Sequence, residues 1–204
     1  MMRVKAQHYA NRQLFLDSMF KDIKNGKKLA VISLIDTDTE SILNTLKQQY
    51  PEVKTLLVTH YGNDDKDSKY QVVVYAPETY AQVGFNTLYD TVYLLANPET
   101  FCPRECKTMF MESINNRGSI CQFHFYVKNV GGKKPVDKTT IMKMLRDASP
   151  NKNTININGV EFQPDNWFVS VHVLNMIEAN ESWNNFNGVF TKSLSDIGVT
   201  VLKT

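Results

Sequence analysis

A chain of 204 residues, 42% hydrophobic and 22% charged, has the apolar material for one self-sufficient core, or for one core and a small appendage. A net charge of +2 excludes recruitment by a global field, so any nucleic-acid surface must be a local patch. No apolar run reaches the length of a membrane span, and MMRVKAQHYANRQ reads as neither signal peptide nor anchor. Three cysteines, an odd number, imply free thiols in a reducing compartment. The expected location is cytoplasmic.

The first element is a helix near 9–25, where Leu14, Phe15, Met19, Phe20 and Ile23 recur at three- and four-residue spacing and Gly26 follows as a stop. LAVISLI (29–35) is apolar on both faces, as a buried strand is. Thr37 with Glu40 three residues on forms a capping box ahead of Ile42, Leu43 and Leu46, and that helix ends before Pro51. VKTLLVT (53–59), YQVVVYA (70–76) and DTVYLLA (90–96) are three further strands. A helix over roughly 104–115 follows Pro103, and SICQFHFYV (119–127) alternates as a fifth strand. Apolar strands alternating with helices predict an α/β fold, a mostly parallel twisted sheet with helices on both faces.

The texture changes after Val127. VKNVGGKKPVDK is a basic Gly/Pro/Lys linker, and KTTIMKMLRD is helical in pattern. Asn158-Gly159 inside TININGVEF signals a type I′ hairpin. A core-packed helix is expected over 164–179 and another over about 182–194, then Gly198 and a last strand, VTVL. We therefore divide the chain into a lobe, 1–128, and a small α+β extension with a hairpin, 129–204, packed on that lobe.

Three segments resemble, in order, the second RecA-like lobe of superfamily 2 helicases, nearest in flavour to the origin-binding-protein helicases of large DNA viruses. GKKLAVISLIDTDTESILNTLKQQYP is similar to the strand and helix that open that lobe. YQVVVYAPETYAQVGFN with LYDTVYLLANPETFCPREC is similar to its middle, the Asp-Thr-Val-Tyr strand plus Cys-Pro-Arg-Glu being the most distinctive piece. VHVLNMIEANESWNNFNGVFTKSLSDIGVTVL is similar to the helical tail after it. The resemblance implies a RecA-like lobe over 1–128 that binds single-stranded or partly unwound nucleic acid, a separate ATPase or helicase subunit, or both, in viral-type genome replication.

The departures bear on chemistry. No G-x-x-x-x-G-K-[ST] phosphate loop and no Asp-Glu-x-His/Asp metal motif occurs, both being features of the first lobe. The family's threonine before proline is Ala76 here, and its glycine is Gln82, with Gly84 two residues on. The last motif, Q-x-x-x-R-x-R, aligned from the strand that follows it, falls on Met111, Asn115 and Arg117. Aligned from Pro103-Arg104 it falls on Thr108, Glu112 and Ile114, preserving nothing. An arginine there stabilises charge on a γ-phosphate, worth about 10³–10⁵ in rate where it is essential. Arg117 alone is a crippled finger, so no catalytic residue is assigned and no ATP hydrolysis by the chain alone is expected. Arg117 stands as a candidate for facing a nucleotide or a partner; a cation that merely complements a helix C-terminus is the simpler account of it.

In an α/β sheet, ligands meet the carboxyl ends of the strands. That rim supplies the nucleic-acid-binding candidates Thr59, His60, Tyr61, Pro77, Thr79, Gln82 and Arg104, with Ala76 and Glu78 beside them. Tyr61, Tyr75, Tyr80 and Phe85 are aromatics that either stack on bases or belong to the core. Lys133, Lys134 and Lys138 complete the candidates. Residues 128–152 hold seven cations against Asp137 and Asp147, a local +5 in a chain whose total is +2. They form either a solvated linker or a phosphate contact to which Asn151, Asn153 and Thr154 could add donors. Cys102, Cys106, Cys121 and His124 suggest zinc, but Cys121 and His124 lie three apart on a strand and point to opposite faces, so no metal and no cofactor is assigned. His8, His60 and His172 have no acid or nucleophile at a telling spacing.

Three readings follow. The chain is a catalytically degenerate helicase-like lobe that binds nucleic acid or an ATPase partner. Alternatively it is the half of a split helicase that supplies Arg117 in trans, or an exapted structural protein that binds no ligand. None involves a membrane.

Overall fold

The computed structural model describes residues 5–33, 36–58, 69–76, 89–99, 101–115 and 122–204. The chain divides into two compact units, one of residues 1–130 with 187–204 and one of residues 131–186.

The larger unit is an α/β sheet of seven strands: β1 (Lys5–Tyr9), β2 (Leu29–Ser33), β3 (Thr55–Val58), β4 (Val72–Tyr75), β5 (Thr91–Ala96), β6 (Gln122–Val127) and β9 (Thr200–Lys203). Their order is β3-β4-β2-β5-β6-β1-β9, and every pairing is parallel. The central strands β2, β4 and β5 are buried at every position, which is why they read as unbroken apolar runs rather than alternations.

Helices cover both faces. On one, α1 (Arg12–Lys24) and α2 (Asp36–Gln49) set Phe15, Leu16, Met19, Ile23, Ile42 and Leu46 against Leu29, Val31, Val72, Val74, Tyr93 and Leu95. On the other, α3 (Pro103–Asn115) brings Phe110 to 4.8 Å from Phe123, edge to face. There α6 (Phe186–Ser195) brings Phe190 to 4.9 Å from Phe125. Among the described residues, α1 and α2, in connections running toward β3, lie on the first face, and α3 and α6, in connections running toward β9, lie on the second, as crossovers of one hand require.

Three details differ from the sequence reading. The chain's start forms β1, an interior strand between β6 and β9; KAQHY hid it because Gln7 and His8 sit where apolar residues would have announced a strand. Helix α2 already includes Asp36, so Thr37 lies inside the helix and is not its cap. The last strand, expected in the C-terminal extension, is the edge of the large sheet, with Ala6 opposite Val201 and Gln7 opposite Leu202.

The smaller unit comprises α4 (Lys138–Ala148), a two-stranded hairpin of β7 (Ile155–Ile157) and β8 (Val160–Phe162), and α5 (Trp167–Asn184). The hairpin turns at Asn158 (φ 53°) and Gly159 (φ 86°), the paired positive angles of a type I′ turn. Asp137 and Asn166 cap the two helices by accepting from the amides of Thr140 and Phe168. The core is small: Ile141, Ile155, Ile157, Val169 and Val173, with Met142, Leu145, Phe162, Met176 and Ile177 packed around them.

Candidate functional site

The carboxyl ends of the parallel strands gather on one rim of the large sheet. After β1, Asn11 caps α1 by accepting from the Gln13 amide at 2.7 Å. The next residue, Arg12, meets Asp38 near the start of α2 at 2.5 Å, tying two helix N-termini together across the rim. After β4, the buried Tyr75 and Tyr89 place their hydroxyls 3.1 Å apart, so Tyr75 belongs to the core and is not a stacking platform. Ala76 is buried as well.

After β5, the buried Asn97 accepts from the Glu99 amide at 3.2 Å through its side chain and from the Phe101 amide at 3.1 Å through its carbonyl. Pro103 opens α3 at the position where its missing N–H does no harm, and the Cys102 amide donates to Glu105 at 2.7 Å. This built turn sets Arg104 on the second residue of α3, exposed to solvent. After β6, Lys128 lies 3.9 Å from Glu99.

Of the rim candidates, Arg104 is therefore placed. Thr59, His60, Tyr61, Pro77, Thr79, Gln82 and Arg117 lie outside the described residues. The three lysines belong to the other unit, and the structure distinguishes among them. The Lys134 ammonium sits 3.5 Å above the Trp183 ring, and its backbone exchanges hydrogen bonds with the Asn184 amide at 2.9 Å in each direction. Asn180, one turn earlier on α5, donates to the Pro135 carbonyl at 2.7 Å. All three lysines are exposed, but Lys134 is committed to holding the linker on α5.

Lys152, another member of the basic stretch, donates to the carbonyls of Asp147 at 2.6 Å and Ser149 at 3.1 Å, closing the end of α4. Thr154 is buried and shares its hydroxyl between the Asn151 carbonyl and Glu161, both at 3.1 Å. The Asn151 side chain accepts from the Asn153 amide at 3.0 Å. The polar residues expected to reinforce a phosphate contact instead build this turn.

A second polar constellation lies under α1. Asp22, on the helix's buried face, accepts from the Tyr93 hydroxyl at 3.0 Å and the Thr91 hydroxyl at 3.2 Å, and pairs with Lys27 at 2.9 Å. Ser18 links Tyr93 (3.2 Å) to Tyr9 (2.8 Å), and the Tyr9 hydroxyl lies 2.9 Å from His124 Nδ1. Burial lowers the His124 pKa to about 4 and pushes the Tyr93 hydroxyl well above the ordinary phenol range. A histidine neutral throughout the physiological range, beside a phenol that stays protonated, is a satisfied polar core and not an acid–base pair. Sequence reasoning missed this network, although Asp22 falling in step with Phe15 and Met19 on an apolar stripe was its one visible sign.

Burial also raises the Cys106 thiol pKa, which leaves that sulfur unreactive. Among the described residues, no group of three His, Cys, Asp or Glu side chains could hold a metal ion; Cys121 lies outside them. Among the described residues, no helix is long and apolar enough to cross a membrane.

No protein-family model matches the chain, and no curated protein matches it. Among solved structures, the C-terminal part of the Fun30 ATPase domain is similar at 12% identity and a TM-score of 0.45, over 80% of this chain and 52% of that one. The chain thus spans about half the length of that structure, and a likeness of this degree identifies neither family nor function.

Proposed function

We infer that the chain is a catalytically degenerate helicase-like lobe that binds single-stranded or partly unwound nucleic acid, a separate ATPase subunit, or both, in viral-type genome replication. One observation carries the reading: the first two helicase-like segments fall in chain order on elements of one parallel sheet, β2–α2 and then, past β3, on β4, β5 and the start of α3. The Asp-Thr-Val-Tyr piece opens β5 at its amino end, and the Cys-Pro-Arg-Glu piece follows its carboxyl end on the rim where such sheets bind ligands, with Arg104 exposed there. The absent phosphate loop and the lone Arg117 argue for binding without ATP turnover.

The test is fluorescence anisotropy with labelled single-stranded oligonucleotides across a salt series. Binding should appear at low salt and weaken as salt rises. Neutralising Lys133 and Lys138 with glutamine should reduce the log–log salt slope by about 0.7 for each phosphate that no longer meets a lysine. Lys134 is left in place because Trp183 holds it. No binding at low salt, or a slope indifferent to both substitutions, overturns the nucleic-acid half. For the partner half, this chain should co-purify with a lobe carrying a phosphate loop, and failure of the two to associate overturns it.

A further inference from the structure

Helix α5 has two faces of opposite fate. Val169 and Val173 are fully buried in the small core, with Met176 and Ile177 behind them. On the other side Trp167 is 73% exposed, Val171 42% and Leu174 61%. Their spacing of four and then three residues puts them on a single stripe. The same stripe continues over the next two turns as Glu178 and Glu181, both exposed. Phe168, itself partly exposed, lies beside it, 6.0 Å from Trp167 and 5.0 Å from Phe162 between ring centroids. A scattered exposed leucine is ordinary, but a tryptophan aligned with two aliphatics and extended by aromatics is a patch.

The acidic end of the stripe selects the occupant. A lipid surface calls for lysine and arginine flanking the apolar face, where this helix has glutamates. A nucleic acid stacking on Trp167 would carry its phosphates past Glu178 and Glu181. A second copy, with its α5 antiparallel, could set Trp167 against Leu174 but would leave both pairs of glutamates without cations. An amphipathic helix with apolar anchors at i, i+4 and i+7 and lysines or arginines beyond them satisfies the whole stripe.

We propose that the outward face of α5, from Trp167 through Val171 and Leu174 to Glu178 and Glu181, is a docking surface for a basic amphipathic helix of a partner protein. The proposal is independent of the nucleic-acid reading, because these residues take no part in that interface.

The test uses the full chain and two labelled synthetic helical peptides. Both carry leucines at i, i+4 and i+7; one continues with lysines and the other with glutamates. The lysine peptide should bind and weaken with salt, and the glutamate peptide should bind roughly tenfold less tightly. Leu174→Asp and, separately, Trp167→Ser should abolish binding while leaving the circular dichroism and melting temperature unchanged, since both side chains face solvent. Glu178→Lys with Glu181→Lys should invert the preference between peptides. Equal binding of both peptides, or binding indifferent to Leu174→Asp, overturns the proposal. So does a dimer in sedimentation that Leu174→Asp dissolves without any peptide preference, or an oligonucleotide whose binding that substitution removes.

Discussion

The two units solve the burial problem differently. The sheet unit encloses its strands between helices on both faces, with aromatic side chains such as Phe15, Phe110, Phe123, Phe125 and Phe190 fully buried among them. The small unit buries five aliphatic side chains and shows Trp167, Phe168, Val171 and Leu174 to solvent. The first holds a polar network inside; the second uses its polar residues as caps and stitches at the periphery. Stability therefore concentrates in the sheet, and the small unit leaves part of its apolar surface exposed.

The largest expected effect breaks the sheet side of that contrast. Phe123→Ala removes a ring packed edge to face on Phe110 and should destabilise the chain by about 3–5 kcal/mol in chemical denaturation. A loss below about 1 kcal/mol would show that this face is loosely packed.

Acid is the next lever. The folded His124 pKa of about 4 lies below the ordinary 6.5, so the folded state binds fewer protons than the unfolded chain between those values. The stability it contributes is fully present above about pH 6.5, falls as the pH drops toward 4, and amounts to roughly 3 kcal/mol at most. The groups facing it, Tyr9, Tyr93, Asp22 and Lys27, all belong to the same network. In a pH series of melting temperatures, His124→Gln should flatten the decline over that window; an unchanged slope would remove His124 as its source.

Smaller effects sharpen the other side. Gly159→Ala places a side chain at a φ of 86° and should cost about 1 kcal/mol, visible in amide exchange of the hairpin and not of the sheet. Lys134→Met removes the ammonium over Trp183 but keeps an apolar stem, and should cost roughly 0.5–1 kcal/mol with a change in Trp183 fluorescence. At the bottom of the scale, Lys192→Ala breaks the exposed pair with Asp196 and should shift stability by less than about 0.5 kcal/mol.

What the sequence disclosed follows from how each element meets solvent. LAVIS, VVVY and TVYLLA were legible because strands buried on both faces are continuous apolar runs, and Asn158-Gly159 because few residues accept two successive positive φ angles. KAQHY was not, because hydrogen bonding to two neighbours lets Gln7 and His8 sit inside a sheet without apolar advertisement. The apolar run of α5 was read as a core-packed helix, since composition cannot say whether every part of a hydrophobic face has a partner within the chain. At the candidate site the sequence marked the lysines as a charge cluster, but it held no sign that Lys134, exposed like Lys133 and Lys138, sits over the Trp183 ring. That distinction depends on Asn180 and Asn184 recurring one turn apart on a helix reached only after the hairpin.

The pairing of β9 with β1 has a kinetic meaning. Lys5 lies opposite Thr200, so the outer edge of β1 is completed by a strand separated from it by nearly the whole chain. As the polypeptide emerges during synthesis, β1 can find β6 early but must keep its other edge open until β9 has been made. The small unit, whose helices and hairpin pair with their neighbours in sequence, can form entirely within that wait. Closing the sheet is then the slow, long-range step that follows local folding, and the interval before it is when this protein is most exposed to mispairing along the open edge of β1.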